Sequence, residues 1–434
     1  MPADTTAPSA PRSPRPRRWR RKLLIVAALL LLALIALRWV SRPSQVSWIV
    51  LGQAGKALGL EITASGASEY RLRGTPMLEV RDLVAREPGA AAPLLRAERV
   101  YLSLPWSTIR AAGAALDVER VELDAPQLDI GALQHWLATR PPSNEPLRLP
   151  SLSDGLRVTR GRVGGAGWSI DDIAVAIAEL HPDRPARGRL QGRVQSSGVQ
   201  VPFDLAATLQ RPAAARGLGL AGRVAVEAKD WKLPMRIRLG ALLHAGDDGL
   251  GLDRMRLAAQ ARYRAGDTDL PFAFGLFAPL RYRDGQVSLA PLGAAVRGAG
   301  VMPNFDAAGR FAFGETMQLQ LDGRLAAWPD AWPSLPPPLG QSQSPLPFVL
   351  DYRGAADFSG DTALQLRRDQ TRFDGRFRLP EMLQWVDAGA QGALLPPLSG
   401  TLSTPKIEVS GASLEGVEIE IEQDDPPPTS APTP

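Results

Sequence analysis

The chain has 434 residues, contains no cysteine and carries a formal charge of +5. The lack of cysteine excludes disulfides, Cys-ligated metal sites and thiol nucleophiles. Residues 1–40 hold eight basic groups and one acidic group, so the rest of the chain carries 42 basic and 44 acidic groups and is nearly neutral. Because the basic excess is confined to this tail, the pI of about 9.8 does not indicate a nucleic-acid partner.

A basic tail, residues 1–22, precedes an uninterrupted apolar run of 15 residues, residues 23–37. A helix of that length spans about 22 Å, less than the ~30 Å of a bilayer core, but Trp19 and Trp39 can extend it at the two interfaces. The sequence therefore predicts a single transmembrane signal anchor over residues 23–40, with the tail in the cytoplasm and the remaining chain exported. A cleaved signal peptide is the alternative, although bulky residues follow the run where small ones should precede a cleavage site.

The membrane-proximal region, residues 41–140, mixes helical and strand patterns. Apolar spacing over residues 44–58 predicts a helix near the membrane. Strand-like alternation follows, and its phase slips at residues 119–120 and near Pro126, as β-bulges or an edge strand would require. Short helices are predicted at residues 106–112 and 131–139, and a linker at residues 141–150.

A β-meander or groove region is predicted over residues 141–325, and residues 154–325 within it carry the strongest strand signal in the chain. Apolar and polar residues alternate strictly, which predicts an antiparallel sheet with one apolar face and one wet face. Asp284-Gly285 is a good hairpin turn signal, so neighbouring strands are expected to form a meander. The clearest alternating segments are residues 199–209, 218–228, 231–239, 270–276 and 317–325.

Beyond this region, residues 326–347 are rich in proline and predict an ordered crossover or a linker. Strand patterning resumes over residues 348–423 as a C-terminal β region, interrupted by a predicted helix at residues 380–390. The Pro/Thr/Ser tail, residues 424–434, is predicted to be disordered.

Four glycines occupy the apolar phase of an apolar-x-Gly-x-apolar motif: Gly192, Gly222, Gly323 and Gly400. A missing side chain there would let the sheet curl and would leave room above it. The alternative is that these glycines only relieve crowding in an ordinary closed barrel or sandwich.

No motif for catalysis or cofactor binding emerges. His135, His181 and His244 share no ligand spacing, so no metal is expected. The glycine-rich residues 161–167 lack a following helix to bind phosphate and are predicted to form a loop. The pairs Asp171-Asp172 and Asp247-Asp248 lie at predicted strand starts or turns, where Asp favours local backbone hydrogen bonds. We therefore expect a protein that is not an enzyme and has no cofactor.

The order of its segments resembles that of the AsmA-like family of bacterial envelope proteins. The resemblance rests on the signal anchor and on residues 59–62, 76–83, 97–104, 116–126 and 400–407. It implies a periplasmic protein anchored in the bacterial inner membrane and related to bridge-like lipid-transfer proteins, in which a curved sheet forms an apolar groove for acyl chains. The family offers no catalytic residues to transfer to this chain.

The expected fold is mainly β: an elongated, curved antiparallel meander forming a groove or half-barrel, with one N-terminal transmembrane helix and a few short helices. The expected function is to bind or help transport phospholipid or lipopolysaccharide-type lipids in envelope biogenesis. The alternative is an accessory of outer-membrane assembly or secretion that contacts envelope proteins through an open β-edge. The candidate groove-lining residues are Phe203, Trp231, Met235, Ile237, Phe272, Phe274, Phe311 and Phe313.

Overall fold

The structure is a computed structural model and describes most of residues 51–422. The gaps fall at residues 53–54, 57, 72, 111–116, 140–149, 213–216, 247–248, 284, 333–334, 336–338, 341, 343, 356–357, 388–395 and 410–411. The predicted tail, anchor and C-terminal disordered segment lie outside the described residues. None of the helices within the described ranges is both long and apolar enough to cross a membrane.

Strands dominate the described chain, which confirms the prediction of a mainly β fold. The N-terminal strands are β1 (Glu61–Ala64), β2 (Ser68–Arg71), β3 (Met77–Arg86), β4 (Leu95–Ser103), β5 (Asp117–Val118), β6 (Arg120–Asp124), β7 (Gln127–Asp129) and β8 (Ser151–Leu152). The central strands are β9 (Leu156–Gly165), β10 (Trp168–Ile177), β11 (Ala186–Ser196), β12 (Val199–Leu209), β13 (Leu218–Glu227), β14 (Lys232–Gly246), β15 (Gly249–Ala265), β16 (Thr268–Arg283), β17 (Gln286–Gly298), β18 (Phe305–Phe313) and β19 (Met317–Leu325). The C-terminal strands are β20 (Leu346–Gly354), β21 (Asp361–Arg368), β22 (Thr371–Arg378), β23 (Leu398–Val409) and β24 (Ala412–Ile421).

Three short helices are described: α1 (Trp106–Arg110), α2 (Ile130–Ala138) and α3 (Leu379–Asp387). They fall within one to three residues of the predicted bounds. Helix α2 begins where the Asp129 side chain accepts a hydrogen bond from the Ala132 backbone N–H at 2.8 Å. Of the predicted helix at residues 44–58, the described residues 51, 52, 55, 56 and 58 are helical.

Twenty-two strands form one continuous sheet, and β5 and β8 form a separate parallel pair. From β9 to β24, every strand pairs antiparallel with the next along the chain. The antiparallel prediction is wrong in the N-terminal part of the chain, because β6 and β7 pair parallel with β9, as β5 does with β8. The crossover through α2 and β8 returns the chain to the same end of the sheet and so imposes that parallel pairing.

One-residue bulges keep the apolar side chains on one face along the whole sheet. Leu252 and Met255 pair with Leu280 and Ala278, so β15 contains one extra residue, and Arg254 there has φ 50°. Similar register shifts occur in β9, β10 and β17. Each bulge adds one residue, so the apolar side chains move from odd to even positions along the strand, or the reverse, and still point to the same face.

The predicted phase slips coincide with breaks in the structure. The slip near Pro126 falls between β6 and β7, where Ala125 has φ 45°, and the slip at residues 119–120 falls between β5 and β6. The prediction of a loop over residues 161–167 is wrong, because β9 continues through Gly165. Gly161 lies on the apolar face opposite Ile173, so its lack of a side chain serves packing between strands.

The buried core is concentrated at the C-terminal end of the sheet. There the Pro-rich crossover folds back over the apolar face, with Trp328, Leu335 and Leu339 packed on β18 to β23. Smaller clusters lie at the bulged end of β14 to β17 and around β3. Across β9 to β14, by contrast, the buried hydrophobic residues are Ala186, Leu205 and Ala241.

Candidate functional site

The apolar face of the central sheet is the candidate functional site. Strand register aligns five residues in one row across β12 to β16, and side chains in one such row point to the same face. The row consists of Phe203, Val224, Met235, Ala261 and Phe272. It contains three of the eight residues predicted to line a groove.

The other predicted lining residues lie on the same face. Ile237 and Phe274 both pair with Ala259, two residues along β15 from Ala261, and so lie on the same face. Phe311 pairs with Leu289, which in turn pairs with Leu280 of β16. Phe313 lies at the end of β18 and is 41% exposed. The sequence pattern therefore assigned all of these side chains to one surface.

Aromatic rings of this face contact one another along and across the strands. Trp231, which precedes β14, packs on Tyr263 with ring centroids 6.0 Å apart. Phe272 and Phe274 stack along β16 at 6.1 Å. These rings provide a large apolar area with little freedom to rearrange.

The apolar face of β12 to β16 is half-exposed. The side chains of Phe203, Met235, Ile237, Phe272 and Phe274 are neither buried nor fully exposed. The described helices contact strands β7, β9 and β22 of this sheet, all outside β12 to β16. A contiguous apolar surface of this kind is characteristic of a binding site, because soluble proteins normally cover such surfaces.

Two glycines of the apolar face serve to seat aromatic rings. A Cβ on Gly192 would lie 2.7 Å from Cζ of Phe203, its cross-strand partner. A Cβ on Gly323 would lie 2.8 Å from Cζ of Phe348 and also 2.5 Å from the carbonyl oxygen of Asp306. The expectation that these glycines leave empty room above the sheet is therefore wrong, because the rings fill that room.

At Gly222 and Gly400 the neighbouring backbone approaches instead. A Cβ on Gly222 would lie 2.1 Å from the carbonyl oxygen of Asp204, and one on Gly400 would lie 2.3 Å from that of Asp374. Such close strand contact is compatible with the predicted curling of the sheet.

The opposite face of the sheet is charged and wet. Arg189 donates two hydrogen bonds to Asp204, at 2.8 and 2.6 Å, and thereby holds the pKa of that carboxyl below its usual value. Arg297 pairs with Asp306 at 2.6 Å in a similar cross-strand contact. The two faces of the sheet thus differ sharply in polarity.

At the bulged end, Asp253 accepts a hydrogen bond from Arg281 and lies 3.2 Å from Nδ1 of His244. The hydrogen bond from Arg281 is the main cause of the lowered pKa of Asp253. The other two histidines lie apart: His135 is 3.7 Å from Glu87, and Nδ1 of His181 accepts a hydrogen bond from the Asp183 backbone N–H. Within the described ranges, no three His, Cys, Asp or Glu side chains are grouped to hold a metal ion.

Sequence reasoning missed the contribution of β15 to this face. Ala259, Ala261 and Tyr263 lie between the predicted residues of β14 and β16, and β15 is the longest strand, with 17 residues. A usable signal was present in the alternation of Leu257, Ala259, Ala261 and Tyr263. It was weak because the face residues are small and the bulge at Arg254 reverses the phase.

Comparisons of the chain with protein-family models, curated proteins and solved structures found no match. The fold and the site therefore define a structural class alone: a large, curved, largely antiparallel sheet with one continuous apolar face.

Proposed function

We propose that the chain is an AsmA-like, inner-membrane-anchored periplasmic protein that binds acyl chains of phospholipid or lipopolysaccharide-type lipids along the apolar face. In this proposal the curved sheet acts as a groove or half-barrel, and the protein assists lipid movement in envelope biogenesis. No step of bond making or breaking is required of it.

The observation that carries the proposal is the half-exposed apolar face of β12 to β16. Five strands spaced about 4.8 Å apart extend for about 19 Å, which exceeds the ~15 Å that one acyl chain occupies in half of a bilayer core. Each CH₂ transferred from water contributes about 0.8 kcal/mol, so even partial cover of one chain gives useful affinity.

The order of the strands in the sheet supports a continuous binding path for a lipid tail rather than an isolated pocket. β1 and β2 both pair with the same edge of β3, and β6 and β7 both pair with the same edge of β4. The 22 strands therefore occupy twenty successive positions across the sheet. With neighbouring strands about 4.8 Å apart, the sheet is at most about 90 Å wide across its strands, and curvature shortens this distance. Between β9 and β17, outside the part that the Pro-rich crossover covers, the apolar face continues in phase, so a lipid tail could pass from strand to strand there without meeting a charged side chain.

A second candidate function is supported by the C-terminal edge of the sheet. Within the described ranges, β24 pairs with β23 on one side and presents its other edge to solvent. Leu414 and Ile419 are 52% and 39% exposed there. An open edge of this kind suits strand addition by an envelope assembly protein, without lipid transport.

Mass spectrometry of lipids that co-purify with the full chain and with a chain beginning at Ser44 tests the first proposal. We expect both proteins to carry phospholipid or lipopolysaccharide precursors above the level of an unrelated periplasmic protein. Met235→Glu places a charge on the apolar face and should remove the excess lipid, whereas Arg238→Glu, three residues along the same strand and on the other face, should retain it. Lipid at background level in the unaltered protein would reject the proposal.

A further inference from the structure

A cavity of about 1000 Å³ opens on the wet face of β12 to β17, opposite the apolar face. Its floor is the backbone of the row that runs from Phe203 to Phe272, whose side chains point away from it. Its walls come from the residues on either side along each strand, which point to the wet face. These wall residues include five arginines: Arg223, Arg236, Arg262, Arg264 and Arg297.

Two of these arginines lie side by side without a salt bridge. Arg223 and Arg236 are directly opposite each other on β13 and β14, where like charges destabilise a sheet. Neither forms a hydrogen bond or ion pair with any residue in the described part of the chain. Asp204 lies opposite Arg223, whose charge adds to the lowering of its pKa, but both of its carboxylate oxygens already accept hydrogen bonds from Arg189.

The remaining arginines of the cavity are partly neutralised. Arg262 and Arg264 share Asp269, at 3.2 and 3.5 Å, and Arg297 pairs with Asp306. Within the described ranges, the arginines of this cavity that form no hydrogen bond or ion pair are thus Arg223 and Arg236. Guanidinium groups on adjacent strands can both donate to one phosphate, with the geometry that favours Arg over Lys.

The other walls indicate that the ligand is larger than a bare anion. Three prolines and two alanines line the same cavity: Pro202, Pro234, Pro271, Ala225 and Ala273. The cavity volume lies at the upper end of the range for small-molecule sites. A ligand with an organic body beside its phosphate would contact both kinds of wall.

We propose that Arg223 and Arg236 form a binding site for the phosphate group of a small, water-soluble organic phosphate, seated in the wet-face cavity. A lipid lying on the apolar face cannot reach this site, because the backbone of the sheet separates the two surfaces. The site is therefore independent of the acyl-chain groove.

Calorimetric titration of the full chain in neutral detergent with glycerol 3-phosphate tests the assignment. We expect saturable binding that weakens about tenfold in Arg236→Ala and in Arg223→Ala, and less in Arg236→Lys, because charged hydrogen bonds are lost. Arg376→Ala removes an exposed arginine on distant β22 and should leave the affinity unchanged. Absence of saturable binding, or equal loss in all variants, overturns the proposal.

Two further measurements separate a binding role from a structural one and identify the source of the phosphate. Arg236→Gln should raise the Tm of the unliganded protein by removing like-charge repulsion, and should abolish the rise in Tm that glycerol 3-phosphate produces in the unaltered chain. A fall in Tm without ligand would contradict the repulsion on which the site depends. Dihexanoyl phosphatidic acid should bind no more tightly than glycerol 3-phosphate, and much tighter binding would overturn the assignment to a soluble ligand.

Discussion

The ring of Phe203 lies over Gly192 of the neighbouring strand, so closely that a Cβ on Gly192 would be 2.7 Å from its Cζ atom. Phe203 belongs to the row of apolar side chains that we propose to contact lipid. The glycine therefore fixes the position of a ring in the candidate groove, and its small size is part of the site.

Gly192→Ala should displace the Phe203 ring and lower the free energy of unfolding by about 1–3 kcal/mol, because the extra methyl group has no space. Gly240→Ala is the matched control, since a Cβ there meets nothing within 4 Å. Chemical denaturation of both variants measures the difference. Equal stability of the two variants would contradict the described contact between ring and glycine.

Arg368 attaches the Pro-rich crossover to the sheet. It is 5% exposed and donates hydrogen bonds to the carbonyl oxygens of Leu339 and Ser342, at 2.7 and 2.8 Å. Arg368→Met should cost about 2–3 kcal/mol, because it leaves buried carbonyl groups unpaired, and should speed proteolysis of residues 326–345. The exposed neighbour supplies the control: Arg367→Met should change neither stability nor the cleavage pattern.

Asp253 should contribute to acid sensitivity. Its pKa is lowered in the folded protein, mainly by the hydrogen bond from Arg281, from an ordinary value of 3.8. A lowered folded pKa gives stability that is present above the ordinary value and is lost as pH falls through the folded value. Asp253→Asn should therefore lose stability at neutral pH and show a flatter stability profile below about pH 4. Asp267→Asn, in an exposed turn, should keep the steep profile, and identical profiles for both variants would exclude the linkage.

The bulge at Arg254 imposes a left-handed backbone conformation, with φ 50°. Arg254→Gly should raise the stability by about 0.5–1 kcal/mol, because glycine adopts this conformation without steric cost. Deleting Arg254 should instead be severely destabilising, since residues 250–252 would then turn to the opposite face. Thermal unfolding distinguishes the two changes, and a tolerated deletion would argue against the bulge.

Much of the sheet was predictable because each strand has one apolar and one wet face. The alternation in β12 and β16 identified Phe203, Phe272 and Phe274 as residues of one surface. Turn chemistry was equally informative: β16 and β17 are joined by the two residues 284–285, where Gly285 has φ 80°.

The parts that could not be predicted depend on contacts distant in sequence. The small residues and bulge of β15 hide its alternation, and the parallel pairing of β9 with β6 and β7 requires knowledge of the path through α2. The Pro-rich crossover looks like a linker in sequence, yet Leu339 is 1% exposed because it packs on strands that precede and follow it. The wet-face cavity arises from strand register, which places Arg223 opposite Arg236.

Photo-crosslinking from single positions along β16 and β18 tests the central claim most directly. A photoreactive residue at Phe272, Phe274 or Phe311 should capture phospholipid or a lipopolysaccharide precursor in membranes, because these positions face the apolar surface. The same probe at Ala273 or Ala312, or at Gln320 on β19, should not, because these positions face the wet surface. Lipid capture limited to the wet-face positions, or equal on both faces, would contradict the account.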